Sequence, residues 1–160
     1  MKRAVLIAAT VVACALTVGP VAQAVNPHEI AISGTTSTID PGTGSCVFRG
    51  PYVLNCDSLD FLTGFAGTLT GTSSTDSSVQ INCKTLQYHG HGVETFNGSL
   101  TGVGSGTLTW QLQTSGTVSD DCSALTSFEG RGVVVSGTGD LAGLNGTLTF
   151  EGDTYSGSLH

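Results

Sequence analysis

In the second half of the chain, apolar and polar side chains alternate one for one. Leu108, Trp110 and Leu112 are separated by Thr109 and Gln111, and Leu148 and Phe150 by Thr149. Successive side chains of an extended backbone point to opposite faces, so such a stretch buries one face and wets the other. A helix would need an apolar residue every three or four positions, and no such period runs through residues 25–160. Thr and Val suit a half-buried pleated surface, and the 23 glycines mark turns and bulges. The alternation predicts strands over residues 28–38, 58–71, 78–89, 92–102, 106–118, 128–136, 144–151 and 154–160. The chain is therefore all-β. Eight strands with short Gly-rich connections predict a closed antiparallel eight-stranded barrel, because closure removes exposed edges. A β-sandwich is the alternative. Residues 40–55 carry Pro41 and Pro51, break the rhythm, and read as an excursion outside the barrel.

The N-terminus has the three parts of an export signal. Lys2 and Arg3 precede an uncharged, mostly apolar run over residues 4–18, and Ala22-Gln23-Ala24 forms an A-x-A cleavage site. Residues 1–24 thus read as a signal peptide and 25–160 as a single β-barrel domain, secreted and extracellular. The apolar run is shorter than the roughly 20 residues needed to span a bilayer, so no membrane span is expected after cleavage. Val11-Val12-Ala13-Cys14 offers the alternative of a lipid anchor at Cys14.

The chain is acidic, with a net charge of −7. Loss of Lys2 and Arg3 with the signal leaves Arg49, Lys84 and Arg131 as the cationic side chains of the mature domain. Phosphate backbones demand clustered Lys and Arg, so nucleic acid is not an expected partner. Cleavage also removes Cys14 and leaves Cys46, Cys56, Cys83 and Cys122. Four cysteines in an exported chain read as two disulfides, with three possible pairings. Cys46 and Cys56 bracket a short segment with Gly50-Pro51 near its middle, as in a hairpin pinned at its base. This favours Cys46–Cys56 with Cys83–Cys122; the rival pairing joins Cys56 to Cys83.

The segments 96–102, 106–111 and 115–117, followed by 134–147 with the run S-G-T-G-D-L-A-G-L-N-G at 136–146, resemble a bacterial family of domains of unknown function. That family is associated with an allene oxide cyclase-like β-barrel. The resemblance covers about residues 30–159 and implies eight strands, with residues 140–144 as one helical turn capped by Asp140. It implies a fold rather than a reaction.

The residues themselves offer few candidates for chemistry. His89 and His91, two apart on a strand, share a face and are the metal candidates, but no third ligand is identifiable and no metal or other cofactor is expected. Glu94 shares parity with Phe96 and Leu100, which turns it inward and makes it the catalytic candidate; Glu151 alternates away from Phe150 and faces solvent. Asp57 with Asp60 and Asp120 with Asp121 read as turn formers. Tyr88, Phe96 and Trp110 are the ligand-binding candidates. The sequence favours a secreted, disulfide-stabilised binding protein without catalysis, taking a small apolar ligand. The alternatives are a cyclase-like enzyme acting on a hydrophobic small molecule and an extracellular or envelope interaction protein. Trp110 and Phe150, both on the apolar parity of their strands, are expected in one buried aromatic cluster.

Intact-mass measurement of the exported protein should place the mature N-terminus at Val25; a diacylglycerol-modified Cys14 would overturn both the cleavage site and the unanchored location.

Overall fold

A computed structural model describes residues 29–160. The export signal, Cys14, the cleavage junction and His28 lie outside the described residues. The chain forms β1 (Ile30–Asp40), β2 (Ser45–Arg49), β3 (Val53–Gly67), β4 (Leu69–Asn82), β5 (Gln87–Leu100), β6 (Gly104–Val118), β7 (Leu125–Gly137), β8 (Gly146–Glu151) and β9 (Thr154–Leu159). Among the described residues a single 3₁₀ turn, Gly139–Leu141, interrupts them. All pairings are antiparallel, in the order β1-β9-β8-β7-β6-β5-β4-β3-β2, with β1 also paired to β3. Eight strands thus make a closed ring in one continuous sheet, and β2 flanks it on β3.

Alternation holds along every long strand. On β6, Leu108, Trp110, Leu112 and Val118 are buried, while Gln111 and Gln113 are exposed. Phe65, Phe96, Trp110, Phe150 and Tyr155 meet in one aromatic cluster, with Phe65 within 6.4 Å, centroid to centroid, of each of the others. Trp110 is 0% exposed. Gly132 on β7 makes room for it, since a Cβ there would lie 2.7 Å from Trp110 Cδ1. Tyr155 Oη ties the two sides of the ring together: it accepts from the Leu69 amide at 2.8 Å and donates to the Leu69 carbonyl at 3.3 Å.

Three features depart from the sequence reading. The expected strands 58–71 and 78–89 straddle the real boundary, because β4 runs unbroken from Leu69 to Asn82 and the turn falls at residues 83–86. The inward positions Ser73, Thr75 and Ser77 are polar, so the apolar period lapses where the strand continues. Asp57 and Asp60 lie in β3 rather than in a loop, on either side of the bulge marked by Ser58, whose φ is 53°. Thr138, not Asp140, occupies the N-cap position of the 3₁₀ turn and makes no side-chain capping bond; Asp140 Oδ2 accepts from the Ser105 amide at 3.0 Å.

The excursion over 40–55 comprises β2 and the start of β3. Cys46 and Cys56 face each other across this hairpin and are bonded, and Cys83 is bonded to Cys122. The bridges span sequence separations of 10 and 39 residues. In the chain-entropy account these closures stabilise by about 3 and about 4 kcal/mol respectively. Denaturant unfolding should therefore show a greater loss for the Cys83→Ser, Cys122→Ser double variant than for Cys46→Ser, Cys56→Ser. The reverse order would show that closure of the unfolded chain is not what these bridges contribute.

Candidate functional site

The ring is filled unevenly along its length. Along the inward face of β4, buried Leu69 gives way to Ser73, Thr75 and Ser77, and then to Val79. The first end holds the aromatic cluster with Leu69, Leu100, Leu108, Leu148 and Leu159. The other end holds a smaller cluster of Cys56, Val79, Tyr88 and Val118. Between them lies a cavity of about 390 Å³. Its walls combine the rings of Phe61, Tyr88, Phe128 and Phe150 and the side chain of Leu112 with the hydroxyls of Thr75, Ser77 and Thr114 and the carboxyl of Glu94.

Unequal strand lengths open this cavity to solvent. β8 and β9 have 6 residues each, against 13 in β7 and 11 in β1. The β8–β9 turn is fastened on both sides, by Gly152 donating to the Phe128 carbonyl at 2.9 Å and by the Thr36 amide donating to Asp153 at 2.7 Å. Beyond that turn, β1 and β7 have no strand between them, and Thr36, Ser37, Thr38, Leu125, Gly152 and Asp153 line the mouth.

Glu94 is 4% exposed. Register sets it between Thr75 on β4 and Trp110 on β6. Its Oε1 accepts from Ser73 Oγ at 2.5 Å and its Oε2 from Trp110 Nε1 at 2.9 Å. These donors are neutral, and among the described residues no Lys or Arg lines the cavity. Loss of solvent pushes the Glu94 carboxyl above the ordinary carboxylate range, and the hydrogen bonds from Ser73, Trp110 and Thr75 pull it back less strongly. Tyr88 Oη pairs with Thr114 Oγ1 at 2.9 Å, and burial raises its pKa, against the smaller opposing effect of that bond. Gly90, inward between them, makes the pairing possible: a side chain there would collide with the Thr114 hydroxyl and come within 3.0 Å of Tyr88 Oη.

The remaining candidates divide between the packed end and the outer face, where His89, His91, Glu129, Arg131 and Glu151 line one open depression. Phe96 and Trp110 are 0% exposed inside the packed end. His89 and His91 are exposed on the outward face of β5, opposite Ser115 and Gln113. Among the described residues, no group of three or more His, Cys, Asp and Glu is placed to hold a metal. Glu129, Arg131 and Glu151 are exposed on the outer face, where Glu129 stands opposite Glu151. Sequence reasoning missed Ser73, Thr75, Ser77 and Thr114. Their signal is parity: the three β4 residues are in step with Leu69 and Val79, and Thr114 with Leu112.

The raised Glu94 value has a definite consequence for stability. The folded protein keeps this proton at pH values where the unfolded chain has released it. Burial of Glu94 therefore costs nothing below the ordinary carboxyl range, and costs progressively more as pH rises through that range toward the raised folded value. Glu94→Gln, neutral throughout, should gain stability relative to wild type between pH 4 and pH 8, measured by urea unfolding at several pH values. A difference independent of pH would show that the carboxyl is not held dry.

A family model described as a protein of unknown function, DUF3224, matches residues 54–158. No curated protein matches the sequence. A crystal structure of a DUF3224 protein of unknown function from Shewanella oneidensis MR-1 superposes with a TM-score of 0.56 at 17% identity, over 82% of this chain and 97% of that one. At that identity the likeness is one of fold. With well over half of its length matched, the chain belongs to the DUF3224 family.

Proposed function

We propose that this chain is a secreted binding protein that takes one small, mainly apolar molecule into the ring, which we read as an allene oxide cyclase-like barrel. The observation that carries this reading is the cavity itself. Small-molecule sites are concave, mostly apolar, and supplied with a few placed polar groups. This one sets aromatic rings and Leu112 against Thr75, Ser77, Tyr88, Thr114 and Glu94 within about 390 Å³. An eight-stranded closed sheet has room for one small ligand. Both disulfides suit an extracellular location, as does the A-x-A site at 22–24.

Glu94 favours a second reading. A carboxyl held dry in an accessible cavity, with its pKa raised, is equipped to give or take a proton. A cyclase-like enzyme acting on a hydrophobic small molecule would use it as the acid or base. Ser73 is bonded to Glu94, Tyr88 to Thr114 and Ser77 to the Leu59 carbonyl, and His91 faces outward, so among the described residues no second proton carrier is aligned with it. Binding without catalysis therefore accounts for the geometry with fewer parts.

The neutral fluorophore N-phenyl-1-naphthylamine should brighten and saturate at one site per chain. Ser77→Trp puts an indole into the cavity, costs about 1–3 kcal/mol of stability through overpacking, and should abolish the signal. Absence of enhancement with the wild type, or equal enhancement with both proteins, would remove the cavity as a binding site.

A further inference from the structure

The cavity is well supplied with negative and aromatic groups and poor in positive ones. Its charged or ionisable lining consists of Glu94 deep inside, Asp153 at the mouth and Tyr88, with His91 bordering it from the outward face of β5 and no Lys or Arg among the described residues. Glu94 is 4% exposed and receives donors at both oxygens, from Ser73 and Trp110. Donors of that kind favour the ionised carboxylate, but loss of solvent outweighs them because no cation stands beside it. A buried charge without a counter-charge is the costly half of an ion pair. The side chain is thus arranged to accept hydrogen bonds and to meet a positive charge that the protein does not supply.

The rest of the lining fits that missing charge. Phe61, Tyr88, Phe128 and Phe150 contribute ring surfaces to one cavity, and aromatic faces attract cations, most strongly where water is excluded. The chain's net charge of −7 raises the local concentration of cations and lowers that of anions. A carboxylate ligand would place its charge in a lining that offers Glu94 and Asp153 and no Lys or Arg to balance it. A neutral ligand would leave Glu94 as it was.

We infer that the molecule held in the ring is a small organic cation, an ammonium group on an apolar or aromatic frame, with Glu94 as its counter-ion and the surrounding rings as its walls. The inference rests on the cavity reading given above and adds to it the charge of the occupant. The ammonium reaches the Glu94 carboxylate, and its frame lies against Phe128, Phe150 and Leu112. Asp153 stands at the entrance, where it attracts cations without contacting the bound group.

Three probes of nearly equal size test this by titration calorimetry at pH 7: 2-phenylethylamine, 2-phenylethanol and 3-phenylpropanoate. The wild type should bind the amine at least about tenfold more tightly than the alcohol, a difference of about 1.4 kcal/mol, and should not bind the carboxylate. In Glu94→Gln the amine and the alcohol should become equal. Asp76→Asn, exposed on β4 and outside the cavity lining, should keep the amine preference. If the alcohol binds the wild type as tightly as the amine, the cation is refuted while the cavity stands. If the carboxylate binds best, the cation is likewise refuted. If none of the three binds, and N-phenyl-1-naphthylamine does not bind either, the cavity reading itself fails. Loss of the amine preference in Asp153→Asn with its retention in Glu94→Gln would overturn the assignment to Glu94. The wild-type comparison decides the sign of the ligand's charge even if Glu94→Gln fails to fold.

Discussion

Strand β1 is hydrogen-bonded along both edges, to β9 over Ile30 to Thr35 and to β3 over Gly34 to Asp40. That double pairing closes the ring, and the rest of the structure depends on it. A sheet of this length left open would expose two unpaired edges and two faces. Closed, it has an inside, and every inward residue is enclosed by its neighbours. Gly34 stands where β1 changes partner, opposite both Gly67 and Tyr155. A side chain at Gly34 would collide with the Ala66 carbonyl and lie 2.6 Å from Tyr155 Oη. The seam is therefore made of backbone approaching backbone, which only glycine permits. Closure leaves β2 as an edge strand hydrogen-bonded on one side, short and exposed throughout, and pinned by Cys46–Cys56.

Much of this was legible in the sequence because a half-buried strand writes its geometry in a two-residue period. Strand β6 is read almost residue for residue from Leu108, Trp110 and Leu112, and the aromatic cluster follows from Trp110 and Phe150. Glu94 was legible as inward for the same reason, being in step with Phe96 and Leu100. The disulfide pairing was legible from the hairpin composition of residues 46–56. What failed was the middle of β4. Ser73, Thr75 and Ser77 face inward and are hydroxylic, so a rule that equates inside with apolar ends the strand there. The error and the cavity have one cause: the interior is polar at the level where it is hollow. Strand β5 shows the same effect, since Gly90 and Gly92 resemble a turn in the sequence but are inward positions left small.

Glu94 links the packed end of the ring to the hollow part. Its Oε2 accepts from the indole N–H of Trp110, so the largest side chain of the core has its one polar atom satisfied by a residue of the cavity wall. Without that acceptor the indole donor would be buried and unpaired, a loss of about 1–3 kcal/mol. Glu94 therefore has a structural partner on one side and open space on the other, as expected of a residue that holds its place by packing and still presents a group to a ligand. This arrangement explains why Gln, which offers an oxygen to Trp110 and an amide to Ser73, is the substitution that separates charge from packing.

A fold that leaves its middle hollow must recover stability elsewhere. Filling the space with Leu or Val at Ser73, Thr75 and Ser77 would add buried apolar area at about 25 cal/mol per Å², and the register would accept the change because parity is already inward. The sequence instead places small and hydroxylic residues there, and both cystines belong to the smaller apolar cluster beyond them, through Cys56 and Cys122. The well-packed end, built on Phe65, Phe96 and Trp110, has none. Covalent closure thus sits where the hydrophobic core is thinnest, as in small exported domains that cannot bury enough surface. It stabilises the fold whether or not the cavity is occupied, because cross-links act on the unfolded chain while a ligand acts on the folded one. The hollow middle is thus stabilised from both ends of the ring, by the cystines at one and the aromatic core at the other.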